Sequence, residues 1–310
     1  MLSSELIANE NVVVEPLRHP VFQQAGVDVF IARLDLIDSI VSGNKWFKLK
    51  HNIDTAIAVS AKGLLTFGGA YSNHLHAVAA AGKRLGLATI GILRGELHET
   101  PTPTLSDCLA WGMQLRSVSR AEYKLRNDAA YQQQLRAEYP GYYLIPEGGS
   151  NALAVRGVCE LVVSLLARHD KISVLVCPVG SGGTLAGCIE GVRVHAGDRL
   201  DMTCQVLGYA ALKGAKEGLQ LSISQLLSIP SRAGWAICED YHFGGFGKCP
   251  PDLLSFMAQF EEDTQIPLDP VYTAKMIYGL VDQVRQGKFS SGDCLMVLHT
   301  GGLQGRRGYL

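Results

Sequence analysis

A chain of 310 residues with 47% hydrophobic and 18% charged residues can bury a large core, so one large or two medium domains are expected. The formal net charge of −1, with no basic block, argues against a nucleic-acid partner. No apolar stretch is long enough to span a bilayer, and residues 1–15 carry Glu5, Glu10 and Glu15 rather than a basic region with an apolar run, so neither a membrane partner nor a signal peptide is expected.

In chain order, the first informative element is Ser42-Gly43-Asn44-Lys45-Trp46-Phe47-Lys48-Leu49, a Gly-Asn turn followed by an apolar helical run. A lysine at that junction can be buried, which disfavours its ammonium form and readies the amine to attack a carbonyl carbon. The plain alternative is a solvated surface lysine. Residues 63–69 (GLLTFGG) then read as a strand and 72–85 as a helix, followed by a strand at 88–93 and a helix opened by Pro101 and Pro103 near Thr104. A strand at 113–118, a polar helix at 120–138 and a strand at 142–146 complete a first βα series. A long helix at 150–169, capped by Ser150 or Asn151, leads into a second series. It has strands at 172–179, 204–210, 235–239 and 294–299, and helices at 184–195, 215–227, 251–263 and 272–286. Apolar strands between helices predict parallel sheets covered on both faces. The expected class is therefore α/β, with two open, twisted, mostly parallel sheets. Ligands of such sheets bind at the carboxyl ends of the strands, here in a cleft between two lobes.

The eight cysteines, Cys108, Cys159, Cys177, Cys188, Cys204, Cys238, Cys249 and Cys294, form no CxxC pair. They read as buried small hydrophobes in a reducing, cytoplasmic setting. The nine histidines lack metal-ligand spacing, His74 and His76 would diverge on a helix, and no metal site is expected.

Four further segments carry possible chemistry. Gly180-Ser181-Gly182-Gly183-Thr184 follows an apolar strand and opens a helix, so its N–H groups can cradle a phosphate. Its spacing is neither a Walker A loop nor a dinucleotide fingerprint, and a βα turn without a ligand is the alternative. With no basic residue in view, a phosphate monoester held by backbone and hydroxyls is expected. Gly68-Gly69-Ala70-Tyr71-Ser72-Asn73-His74 is another strand-to-helix turn, suited to a carboxylate or simply capped by Ser72. Leu268-Asp269-Pro270-Val271-Tyr272-Thr273-Ala274-Lys275 starts a helix with Tyr272 in its first turn, as a cleft or a core tyrosine. His299-Thr300-Gly301-Gly302 ends the last strand and either offers a hydroxyl to a ring nitrogen or simply turns the chain. No GxSxG elbow supports a serine hydrolase.

Together these five segments, in order over about residues 16–302, resemble the fold-type-II pyridoxal-phosphate enzymes of the tryptophan-synthase-β group. The branch they resemble contains D-cysteine desulfhydrase and 1-aminocyclopropane-1-carboxylate deaminase. The resemblance implies pyridoxal 5'-phosphate held through a Schiff base to Lys45, which also moves the substrate α-proton. It implies that Asn73 bonds the cofactor 3′-oxygen, that Gly180, Ser181, Gly182, Gly183 and Thr184 hold its phosphate, and that Thr300 meets the pyridine nitrogen. Ser72, Asn73 and His74 are implied to surround the substrate carboxylate, with Lys45, Ser72 and Tyr272 as the catalytic set. The implied division is residues 1–47 with 157–310 as the large cofactor-binding domain and 48–156 as a small α/β domain, in a homodimer acting on a small amino acid.

The two activities differ at readable positions. Where the deaminases resemble Glu and Leu, this chain has Thr273 and Thr300, which favours the desulfhydrase. Departing from both, Phe246 stands where a second tyrosine is usual, with Tyr241 as its possible substitute, and Phe47 replaces an arginine. A deaminase and a non-catalytic phosphate-ligand binding protein are the alternatives carried.

Overall fold

The computed structural model describes residues 11–97, 99–197, 204–228 and 234–309. Residues 1–10, with Glu5 and Glu10, lie outside this set, so the reading of the N-terminus concerns them only as sequence. Among the described residues there are ten strands in two sheets. The larger sheet is ordered β1-β2-β10-β7-β8-β9, from Val14–Pro16 (β1), Asp28–Arg33 (β2), Val174–Val179 (β7), Gln205–Ala210 (β8), Trp235–Cys238 (β9) and Cys294–His299 (β10). Only β1 runs antiparallel in it. The smaller sheet is wholly parallel, in the order β5-β4-β3-β6, from Gly63–Gly68 (β3), Ala88–Arg94 (β4), Met113–Val118 (β5) and Tyr142–Leu144 (β6).

Helices cover both faces of both sheets. Pro20–Ala25 (α1), Pro251–Thr264 (α10) and Thr273–Arg285 (α11) close a core on one face of the larger sheet with Phe22, Phe260 and Ile277. Asn44–Ala58 (α2), Ala152–Arg168 (α7), Gly183–Ala196 (α8) and Lys216–Leu226 (α9) belong to a core on the opposite side. That core continues through Asn73–Leu85 (α3) and Pro103–Ala110 (α4) to the smaller sheet. Arg120–Tyr123 (α5) and Ala129–Glu138 (α6) cover the smaller sheet's far face. The helix at 120–138 is thus interrupted: Lys124–Asn127 is a 3-10 turn, and the Asp128 side chain caps α6 through Tyr131 N at 2.9 Å.

Local chemistry sets these boundaries. In α2, Trp46, Leu49, Ile53 and Ala56 are buried at helical spacing, which aims one face at the core. Asn151, rather than Ser150, caps α7 by accepting from Ala154 N at 2.9 Å. Thr102 caps α4 in the same way, and each such cap contributes about 1 kcal/mol. Every strand of the smaller sheet lies within residues 48–156. The expected domain boundaries at 47/48 and 156/157 fall inside α2 and α7, two helices that pack on one another.

Candidate active site

The carboxyl ends of β3, β7 and β10 lead into the turns at 69–72, 180–182 and 300–302, and the N-terminus of α2 meets them there. Gly43 is required at that junction. Its φ is +71°, and a Cβ would stand 2.0 Å from the Thr300 carbonyl oxygen, which accepts from Asn44 N at 3.3 Å. The Asn44 amide then bonds in two directions, Nδ2 to Thr184 Oγ1 at 2.8 Å and Oδ1 from Lys45 Nζ at 2.7 Å. Lys45 is thereby tied to the first turn of α8. Burial pushes its pKa down to about 8, against the opposing charge of Asp269.

The loop from Gly180 to Thr184 forms a built cradle. Gly182 precedes α8 with no side chain capping the helix, so the first amides remain open. Ser181 Oγ lies 2.7 Å from Ser150 Oγ, and Ser150 Oγ accepts from Lys48 Nζ at 2.9 Å. A Cβ on Gly183 would come within 2.6 Å of Ser150 Oγ and 3.1 Å of Lys48 Nζ, so the cradle needs glycine there. Sequence reasoning missed Lys48 and expected no basic group. The residue is 2% exposed, and its hydrogen bond goes to a neutral hydroxyl. Burial, and then the charge of Lys45, hold its pKa well below the usual lysine range. A desolvated amine beside open helix-terminal amides and two hydroxyls suits an anion, and a phosphate monoester fits this donor set.

The turn before α3 divides the three residues expected at the substrate carboxylate. Ser72 Oγ accepts from Leu75 N at 3.2 Å and so caps the helix. Asn73 and Lys45 line one cavity of about 90 Å³, together with Asp35, Ser42, His76 and Gln304. His74 turns the other way: it is buried, and its Nε2 lies 2.8 Å from Thr66 Oγ1, whose own proton goes to Ile145 O. Its Nε2 is therefore the donor. Its Nδ1 has no hydrogen-bond partner among the described residues, and burial, then Lys48 and Lys45, keep the ring neutral. His76, at 3.1 Å from Asp107 Oδ2, is the histidine that lines the cavity.

Tyr272 immediately precedes α11, one residue earlier than expected. A Cβ on Gly180 would lie 3.2 Å from its hydroxyl, which places the ring against the start of the cradle. Burial raises its pKa, and the charge of Asp269 raises it further, so the phenol stays protonated. Asp269 does more than start the helix, since its carboxylate accepts from Val271 N and Tyr272 N at 3.0 Å and Thr273 N at 2.8 Å. The Thr273 hydroxyl closes the same cap at 2.9 Å. Phe246 stands edge-on to Tyr272, with ring centroids 5.9 Å apart, whereas Tyr241 donates to Asp282 at 2.7 Å and packs on Tyr209 and Tyr278. Phe246 is thus the aromatic that contacts Tyr272. Thr300 is 7% exposed beside Gly43. The preceding His299 is buried, with Nδ1 at 3.1 Å from Asp35 and Nε2 at 2.7 Å from Pro267 O. Arg33 holds the same Asp35 carboxylate at 2.7 Å, so Asp35 joins Arg33 to the strand end that carries Thr300.

The two parallel-sheet lobes, the amine of depressed pKa and the anion cradle define an enzyme built around a phosphate-bearing carbonyl cofactor. Comparison with known families assigns it: residues 13–301 match the family described as pyridoxal-phosphate dependent enzyme, and the chain belongs to that family. Its members bind pyridoxal phosphate. The chain is 30% identical over 293 residues to a putative 1-aminocyclopropane-1-carboxylate deaminase of Pyrococcus abyssi, covering 91% of this chain and 87% of that protein. It is 28% identical over 291 residues to the D-cysteine desulfhydrase of Klebsiella pneumoniae, covering 89% and 87%. Among solved structures it resembles an ACC deaminase homologue with a TM-score of 0.80 at 28% identity, covering 98% of this chain and 93% of that one.

Proposed function

We propose that the protein is a pyridoxal-phosphate lyase of the D-cysteine desulfhydrase type. It eliminates sulfide from D-cysteine or a related β-substituted D-amino acid, and with one water the products are pyruvate, ammonia and sulfide. The observation that carries this choice is Thr273. Its hydroxyl is closed into the Asp269 cap, so the position that resembles Glu in the deaminases presents no carboxylate to the cleft. The deaminase reading keeps the support of names, those of the Pyrococcus relative at 30% identity and of the solved ACC deaminase homologue at 28%.

When bound, the cofactor supplies the electron sink that acidifies the α-carbon. The chain does the rest. Lys45 would hold the cofactor through its carbonyl carbon and would hold or move the α-proton, and without the cofactor burial lowers its pKa to about 8. The Gly180–Thr184 amides and the Ser181 hydroxyl would hold the phosphate, with Lys48 as their cation. Asn73 would donate to the 3′-oxygen, and the Thr300 hydroxyl would meet the ring nitrogen without demanding its protonation. Asn73 with its backbone amide and Ser72 with its hydroxyl proton would receive the substrate carboxylate at the start of α3, the Ser72 amide being taken by Gly69 O at 3.0 Å, and His74 supports the turn from behind. Tyr272, a protonated phenol, serves as the acid for the leaving group. The same reading takes residues 48–156 as the small domain and the remainder as the large one. It takes the enzyme to be cytoplasmic, which eight unpaired cysteines support, and to be a homodimer.

Incubation with D-cysteine is expected to release sulfide and pyruvate in equal amounts, with little product from 1-aminocyclopropane-1-carboxylate. Fast formation of 2-oxobutyrate from the latter would replace this reading with the deaminase one. No product from either would leave a binding protein.

A further inference from the structure

Gln304 lies beyond every motif, in the 3-10 segment Leu303–Gly308 that crosses from the larger-sheet lobe to α4 of the smaller one. Its Oε1 accepts from Thr104 Oγ1 at 2.6 Å, and Arg307 Nη2 stands 3.4 Å from the same atom. A guanidinium only donates, so this end of the Gln304 amide is the oxygen. The other end, Nε2, consequently donates to Asn73 Oδ1. With its oxygen engaged, Asn73 turns Nδ2 to its other side, toward Gly302, where a Cβ would lie 2.6 Å from that nitrogen. Arg307 is itself held by Asp107, the carboxylate that His76 also meets. A directional chain thus runs from Asp107 through Arg307 and Gln304 to Asn73. An asparagine amide alone can present either end to a ligand, and Gln304 removes that choice.

We propose that Gln304 is a positioning residue that locks the Asn73 amide with its N–H₂ group, not its oxygen, toward the cofactor's 3′-oxygen. The inference rests on the function proposed above. A donor at that atom favours its ionised form, and a carbonyl oxygen there disfavours it. Gln304→Glu inverts the signal, because an acceptor-only carboxylate repels Asn73 Oδ1 and attracts Nδ2. Gln304→Leu removes the signal without inverting it.

The test measures two properties of purified protein at one fixed pH: the absorbance of bound pyridoxal phosphate, and the Kd from titration of cofactor-stripped protein. Gln304→Glu is expected to shift intensity from the yellow band to the near-ultraviolet band and to raise Kd about tenfold, with Gln304→Leu between it and the wild type. In an Asn73→Ala background, Gln304→Glu is expected to change neither property. Wild-type spectra and Kd in both single variants would overturn the proposal. So would an equal shift in the Asn73→Ala background, since that is a field effect of the added charge. A wild-type protein that takes up no cofactor would instead defeat the functional reading, and this proposal with it.

Discussion

Replacing Lys45 with alanine is expected to lower turnover by about 10³-fold or more, while the cofactor-free protein melts higher than the wild type. Both effects follow from one environment. The amine is the group in the site placed to anchor a carbonyl carbon and move a proton, so no neighbour replaces it. The same amine is desolvated, with its pKa lowered to about 8, so as a cation it destabilises the fold that holds it. Alanine removes that cost and is a better helix former near the start of α2. The sign can be checked against pH. Between about 8 in the folded state and 10.5 in the unfolded one, the unfolded chain binds more protons at this residue. Wild-type stability therefore gains from Lys45 as pH rises through that window, and the variant lacks that share of the gain. Lys275, also lowered to about 8 by burial, contributes a similar rise in both proteins, so the difference between their melting curves reports Lys45 together with the relief that its loss gives Lys48.

Lys48→Met is expected to raise the Kd for pyridoxal phosphate about 10- to 100-fold and to raise the melting temperature of the cofactor-free protein. The amine is buried against Ser150 and adjoins Gly183. Without an anion it carries a desolvation cost, and with one it makes a charge-assisted contact. Methionine matches its length and fills the same space without the charge. Loss of affinity joined to gain of stability is the signature of a cradle cation. A solvated lysine would move neither quantity. Titration of the two cofactor-free proteins with pyridoxal phosphate, followed by thermal melts, gives both signs.

Much of this site was legible from chain order because turns and strand ends have local signatures. The Gly43-Asn44-Lys45 turn and the glycine loop after β7 stand where the sequence puts them, and the alternation of strands and helices from residue 63 onward follows from periodicity. Strands β1 and β2 escaped notice. The first is a three-residue edge strand ending in Pro16, and the second a short run between Asp28 and Arg33 with no parallel strand near it in sequence. Lys48 carried a usable signal, since it sits three residues after Lys45 on one helix face. Its burial comes from the turn at 147–150 folding over it, a contact of high sequence separation. His74 is expected beside Ser72 and Asn73 at the carboxylate, and its helical position brings its Nε2 to Thr66, a partner that the local sequence does not signal. Gln304 follows no repeat or motif at all. Its meaning lies wholly in partners 200 and 231 residues away.

The central claim is that Lys45 forms the covalent link to the cofactor. Reducing the purified protein with borohydride and mapping the modified peptide by mass spectrometry tests it directly. Loss of the yellow colour and a single pyridoxyl label on Lys45 are expected. A label on Lys48 or Lys275 instead, with Lys45 unmodified, would contradict it.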